Sequence, residues 1–600
     1  MIEASRQDGA YPRPQMIRNH HYPLDVLAGF AYDDSNVGCN EEWHNREDVF
    51  NQTIQLPFAP ESSASGIGTT GYHPVVWYRL TIDRAALTAA GLHEQGECVL
   101  LHFGAVDYSA DVWVDGTHVA RHDGGQTPFS TDITAALTRD SEDHVIVVRA
   151  EDDPLDTTLP RGKQDWLPEP HRIWYHRQTG IWRTVWLETV PQLHVTSLGW
   201  LSNSTADSVQ LDLALSHRPD EPAQIDVLLS FDGTEVARHR ISVPSDRATI
   251  DIALPAQRNG QHADRLLWSP ANPCLLDAKI VLISSGPSDV IFSYFGLRSV
   301  TIDRGQFMLN DRPMYLRSVL EQGYWPTSHY TPPSWSAMRE EVELILSLGF
   351  NAARIHQKVE DPRFLYWCDR LGLMIWGETA SAYEFNALAV RRLISEWCNI
   401  VDRDRSHPCI VTWVPLNESW GVQHAAHDAA QRAYSLALTN LTRALDPSRP
   451  VLSNDGWEHT DSDMWTLHDY EADGEILRRR YGAKEKIDAM IMGVGPAGRR
   501  VSLLPVDDYD KPLMLTEFGG ISFSSSRSVE DSWGYSEAVD VGDYQARLEA
   551  VLDAVNASSH LAGFCYTQLT DTRQETNGLC DENRRPKLPI ETIEAIVRGA

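Results

Sequence analysis

Two glutamates sit at the ends of apolar runs: Glu418 closes IVTWVPLNE (410–418), and Glu517 lies near the end of LMLTEFGG (513–520). Runs of this length read as buried strands, so a carboxylate at the end of one is carried out of the core into whatever cleft the strand ends form. Paired carboxylates can cleave an acetal by double displacement. One attacks the carbon, and the other protonates the leaving oxygen and then activates water, which requires the groups to be about 5–5.5 Å apart. A single glutamate at a strand end is more often a solvated rim residue. Two of them, three strand–helix units apart, favour a shared cleft. Other polar groups end neighbouring runs: Arg354 in NAARIHQ, Glu378 in LMIWGET, and His468 and Tyr470 in MWTLHDY.

These runs belong to a stretch, from about residue 299, in which strand and helix patterns alternate as in a parallel barrel. The candidate strands are 314–320, 351–357, 373–379, 410–418, 450–455, 464–470, 513–520 and 562–571. In SAMREEVELILSLG, Met338, Val342 and Ile345 fall on one helical face, and a long helix is expected over 427–446. Before residue 299 the texture is all-β: short alternating runs broken by turn residues, with hairpin signals at Asp115-Gly116 and Asp232-Gly233. The expected fold is a multidomain β plus α/β chain: an N-terminal β-sandwich (1–192), a second sandwich (193–298) and a C-terminal (β/α)8 barrel (299–600).

Longer motifs carry a resemblance. Phe103 to Gly116 (FGAVDYSADVWVDG), Gly180 to Glu188 (GIWRTVWLE), Asn417-Glu418, Thr516-Glu517-Phe518-Gly519, and Asn351 to Arg354 together resemble glycoside hydrolase family 2 over nearly the whole chain. The resemblance implies a jelly-roll sugar-binding-type domain, an immunoglobulin-like sandwich and a catalytic TIM barrel. It also implies a retaining exo-glycosidase with Glu418 as general acid/base and Glu517 as nucleophile. By the same resemblance Asn417 would hydrogen-bond the sugar's 2-hydroxyl. Arg354 would keep Glu517 ionised, and Tyr470, in an H-x-Y element with His468, would touch the nucleophile. Glu378 aligns with the family's strand-three acid. Trp420 and Trp325 are candidate stacking platforms, each as readily packing, and Tyr566 stands where a strand-eight tryptophan often floors the sugar site.

The chain also departs from the family. Gln357 replaces a familiar histidine, and the sequence after Glu378 lacks the continuation that holds magnesium in relatives, so no metal and no cofactor are expected. The element before Arg585-Pro586-Lys587 reads Glu575-Thr576-Asn577-Gly578, without the lysine of β-glucuronidases. A formal net charge of −32 argues against nucleic acid and anionic membranes as partners, and against an acidic substrate unless a local basic pocket overrides it. A terminal neutral sugar is therefore expected, β-D-galactoside first, then β-D-galactofuranoside or α-L-arabinofuranoside, then glucuronide. A transglycosidase and a non-catalytic carbohydrate-binding relative are the competing readings. The eight cysteines show no metal spacing and read as free thiols, and His424 and His427 read as surface residues. Nothing resembles a signal peptide or a membrane span, so cytoplasmic residence is expected; homodimerisation is the family's habit. The polar, aromatic segment 160–180 is expected to reach the barrel mouth.

Overall fold

Period-two alternation in the N-terminal third builds two facing antiparallel sheets. In this computed structural model, which describes residues 2–93, 97–137, 141–203, 205–258, 263–506, 510–524 and 532–599, one sheet runs Tyr22–Pro23, Val185–Pro191, Glu97–Phe103, Phe129–Asp132. The other runs Gln52–Gln55, Leu27–Tyr32, Val75–Asp83, Asp143–Glu151, Ser109–Val114, Thr117–Asp123. Phe30, Tyr78, Leu101, Val112 and Val148 are part of the apolar layer between them. Asp115 and Gly116, with φ of 46° and 78°, make the tight left-handed turn between the last two strands.

A second sandwich follows. Val195–Ser202, Ser208–Leu215 and Arg247–Ala253 face Thr234–Val243, Ala223–Phe231, Leu276–Ile283 and Asp289–Phe295 across a core that includes Trp200, Ile225 and Phe295. Residues 4–18 lie along this sandwich and reach both other parts. Ser5 bonds Asp277, the Tyr11 hydroxyl donates to Glu188 (2.6 Å), and the Gln15 amide donates to the carbonyls of Tyr294 and Ser406. Arg18 forms ion pairs with Asp289 and Glu188.

The C-terminal half is the barrel. Its parallel strands are Leu316–Glu321, Ala352–Ile355, Met374–Glu378, Ile410–Val414, Trp465–Asp469, Leu513–Gly519 and Leu561–Thr567, the first pairing with the last. Outer helices include Trp335–Ser347, whose Met338, Val342 and Ile345 are buried, and Ala429–Leu445. Their N-termini are fixed by side chains that accept the first orphan N–H groups: Ser334, Asp361, Asn386, Asp428 and Asp540.

The fifth of the eight expected strands, at 450–455, does not form a full ladder. It touches strand four through single bridges at Trp413–Val451 and Asn417–Asp455, and it has no ladder to Trp465–Asp469. Side chains have taken the backbone donors on that edge. The Val451 N–H goes to Asp463 Oδ2 (2.7 Å) and the Ser453 N–H to Ser462 Oγ (2.8 Å), so the loop 456–463 stands in for the missing pairing. Among the described residues, no helix is long and apolar enough to cross a membrane.

Candidate active site

Strand four delivers Glu418 through an unusual turn. Glu418 and Ser419 both have left-handed backbones, φ 51° and 59°, which side-chain-bearing residues adopt only when their surroundings impose it. Here the fifth strand position imposes it. The Glu418 N–H donates to the Asp455 carbonyl (3.0 Å), the Ser419 N–H to Asn454 Oδ1 (2.9 Å), and the Ser419 hydroxyl to Glu458. Strand seven delivers Glu517 directly. Its carboxylate accepts from Arg354 Nη1 (3.1 Å) and from the Tyr470 hydroxyl (2.5 Å). A carboxylate oxygen of Glu418, one of Glu517 and a ring nitrogen of His468 all lie within 4.8 Å of one another. That separation fits direct attack by one carboxylate, and it is too short for the water-filled gap of about 6.5–9.5 Å used in inversion.

Around this pair the charges interlock. Arg354 is wholly buried and meets Glu378 (2.8 Å), Asp455 (2.5 Å) and Glu517. Burial works against its charge, but Asp455, Glu378 and Glu517 overcome that and hold it cationic. Although Asp455 is buried, Arg354 and His468 hold its carboxyl far below the usual range, while burial raises Glu378 despite Arg354. The His468 ring bridges Glu418 Oε1 (2.7 Å) and Asp455 Oδ2 (2.9 Å). Burial alone would lower its pKa, yet Glu517, Asp455 and Glu418 raise it to about 10, so both ring nitrogens carry protons at neutral pH and donate. His356, 3.1 Å from Glu378, is pushed well down by burial and by Lys163 and Arg354, and stays neutral. Arg354 also donates to Asn417 Oδ1 (2.7 Å), which fixes that amide and leaves its NH2 for another acceptor.

Thus the structure gathers Glu418, Glu517, Asn417, Arg354, Glu378, His468 and Tyr470 at one mouth. Tyr566 is elsewhere. It is fully buried, edge-on to Phe518 (5.6 Å) and packed under Gly519, whose missing Cβ would lie 2.3 Å from its ring. Alternation along strand eight explains the difference. Cys565 and Thr567 face inward, toward Arg354 and the Tyr470 hydroxyl, which turns Tyr566 outward to the helices and corrects its assignment to the sugar floor. Trp420 is half-buried within an aromatic group with Trp174 (6.3 Å) and Tyr383 (5.6 Å), while a face of Trp325 is covered by Arg584 at 3.6 Å. Trp174 comes from segment 160–180, which does reach the mouth. The Gly162 N–H donates to the Ser381 carbonyl (3.0 Å), the Tyr383 hydroxyl to the Gly162 carbonyl (2.7 Å), and the Tyr175 hydroxyl to Glu575.

Two members of the constellation were missed in the sequence. Asp455 ends the fifth apolar run and could have been read by the same strand-end rule as Glu418. Tyr535 stacks on Tyr470 with centroids 3.3 Å apart, near the carboxylates of Glu517 and Glu418, and arrives on a loop that no local pattern marks. Two groups of potential metal ligands occur among the described residues: the Glu418–His468–Glu517 set, in which the histidine nitrogens are occupied as donors, and Asp369–His407–Cys409 at the opposite end of the barrel. In the second, Asp369 already accepts from the Tyr294 hydroxyl (2.9 Å), His407 (2.5 Å) and the Cys409 N–H (2.9 Å), so it is saturated without an ion.

A pair of carboxylates at this spacing, on the C-terminal mouth of a (β/α)8 barrel behind two β-sandwiches, defines the glycoside-hydrolase class of barrel. Residues 300–597 match the model of the glycosyl hydrolases family 2 TIM barrel domain. A beta-galactosidase of Thermoanaerobacter pseudethanolicus is 26% identical over 399 residues, covering 63% of this chain and 48% of that relative; this chain thus spans about half its length. A beta-glucuronidase of Canis lupus familiaris is 26% identical over 494 residues, covering 75% of this chain and 70% of its own. The crystal structure of a beta-galacturonidase from Eisenbergiella tayi superposes with a TM-score of 0.72 at 19% identity, covering 98% of this chain and 97% of that one. The chain belongs to glycoside hydrolase family 2.

Proposed function

We propose that this protein is a retaining exo-glycosidase that releases a terminal sugar by double displacement. The observation that carries the reading is the approach of Glu418 and Glu517 to within 4.8 Å. Glu517, beside Arg354 and positioned by the Tyr470 hydroxyl, attacks the anomeric carbon while Glu418 protonates the departing oxygen. Water, deprotonated by Glu418, then releases the sugar from Glu517. The NH2 of Asn417 is placed for the 2-hydroxyl, where a contact strengthens as positive charge builds on the ring.

For the sugar, β-D-galactopyranoside stands first, ahead of β-D-galactofuranoside and α-L-arabinofuranoside, in keeping with a relative named beta-galactosidase. A uronide is the second reading. One observation favours it: the buried cation of Lys163 beside the site. Initial rates on p-nitrophenyl pyranosides, furanosides and uronides, for wild type and Glu517→Ala, test the proposal. Rapid cleavage of one class by wild type, falling at least about 10⁴-fold in the variant, is expected. Turnover that survives the substitution would rule out Glu517 as nucleophile.

A further inference from the structure

The barrel mouth holds a cation that belongs to another part of the chain. Lys163 lies in segment 160–180, between the last long strands of the jelly-roll sandwich, and that segment is pinned over the mouth by Gly162–Ser381, Tyr383–Gly162 and Tyr175–Glu575 bonds. The glycine before it allows the approach: Gly162 has φ 58°, and a Cβ there would come 2.2 Å from the Gln357 carbonyl. Lys163 is 6% exposed. Its ammonium lies 5.5 Å from the centre of the Tyr175 ring, and its charge is felt by His356, the neighbour of Arg354 and Glu378. The lysine therefore stands in the wall of the carboxylate site.

The contrast with the other buried lysines is informative. Lys358 is neutralised by Glu360 (2.5 Å) and donates to the carbonyls of Gly323 and Tyr330; Lys587 is neutralised by Asp571 (2.7 Å) and donates to the Thr576 carbonyl. Among the described residues, Lys163 has no carboxylate partner and no hydrogen-bond acceptor for its ammonium, only the face of Tyr175. Buried ammonium groups are normally paired, because leaving water without a partner costs several kcal/mol. The Lys163 Nζ keeps a sliver of solvent contact, which leaves the ammonium open to an anionic group carried by the substrate.

We propose that Lys163 is a substrate-binding, specificity-determining residue whose ammonium takes the carboxylate of a terminal uronic acid. The proposal rests on the glycosidase reading above and, on the strength of this unpaired ammonium, moves the uronide ahead of the neutral galactoside as the substrate class. It also accounts for a uronide site that lacks a lysine in the Glu575–Gly578 element, since the cation comes from a different domain. A local charge of this kind outweighs the acidic bulk of the chain, because screening confines that bulk field to about 8–10 Å.

The test is the ratio of kcat/KM on p-nitrophenyl β-D-galacturonide and β-D-glucuronide to kcat/KM on the matching neutral glycosides, for wild type, Lys163→Met and Lys163→Arg. Calorimetric binding of free galacturonate and galactose to the same proteins accompanies it. Loss of a charge-assisted bond predicts a fall of about 10- to 100-fold in the uronide-to-neutral ratio for Lys163→Met, mainly through KM, with most of the ratio kept in Lys163→Arg. Galacturonate is expected to bind wild type more tightly than galactose, and Lys163→Met no more tightly. A ratio unmoved by Lys163→Met, or uronate binding no better than the neutral sugar in wild type, overturns the role of Lys163 and leaves the hydrolase reading intact. Lys163-dependent uronate binding without turnover of any glycoside does the reverse.

Discussion

The two ends of the barrel both bury arginines and use them in opposite ways. At the N-terminal end, Arg298 donates to the carbonyls of Pro408 (3.1 Å) and Ile410 (3.0 Å), and Arg449 to Ile410 (2.8 Å) with Asp446 beside it. Burial and the neighbouring Arg449 push Arg298 down to about 9. These arginines tie backbone to backbone. At the C-terminal end Arg354 meets three carboxylates and an amide oxygen, and those carboxylates hold its charge against the burial. The lesson is that a buried cation surrounded by carbonyls closes a structure, whereas one surrounded by carboxylates of reactive placement prepares a site.

The largest effect expected from breaking this contrast lies in the chemistry. Glu418→Ala should lower kcat/KM, which reports the steps up to the glycosyl-enzyme, by about 10²–10⁴-fold on aglycones that need a proton to leave. The loss should be much smaller on dinitrophenyl glycosides, which leave unprotonated; equal losses on both would mean that Glu418 is not the acid. Next comes Arg354→Met, which strands Glu378, Asp455 and Glu517 without their cation. It should cost about 3–5 kcal/mol of stability and nearly all activity, read by thermal unfolding and by rates on the folded fraction. Arg298→Met at the other end should cost about 1–3 kcal/mol, with kcat/KM per folded molecule unchanged. A shift in kcat there would blur the distinction between the two ends.

A pH dependence tests the C-terminal end of the barrel. His468 titrates near 10 in the folded protein against 6.5 unfolded. The fold therefore binds this proton more tightly, and the stability it contributes is full below about pH 6.5 and fades as pH climbs to about 10. Unfolding temperature should decline across that window in wild type and more shallowly in His468→Gln; parallel declines would remove His468 from the account.

How much of this could be read from residues alone followed the range of the signal. Glu418 and Glu517 end strands, and each is framed by its own neighbours, so chain-local pattern sufficed. The run 450–455 was apolar enough to read as a strand, but its edge is satisfied by Asp463 and Ser462, a competition between side chain and ladder that apolar patterning does not register. Tyr566 failed on parity: one step along strand eight separates the inward Thr567 from the outward tyrosine. Lys163 and Tyr535 approach the site through tertiary folding, from a sandwich loop and a barrel loop, and no spacing within either segment marks them.

The segment spanning residues 4–18 has a consequence for the order of assembly. Its Gln15 side chain bonds a carbonyl 391 residues further along the chain. At ribosomal speeds the partner emerges roughly 20–80 s later. Until then Tyr11 and Ile17 have no complete surface to settle on. Docking of this strap is therefore a late event, and its resistance to proteases would report a finished chain, much as a latch closes only when every panel is in place.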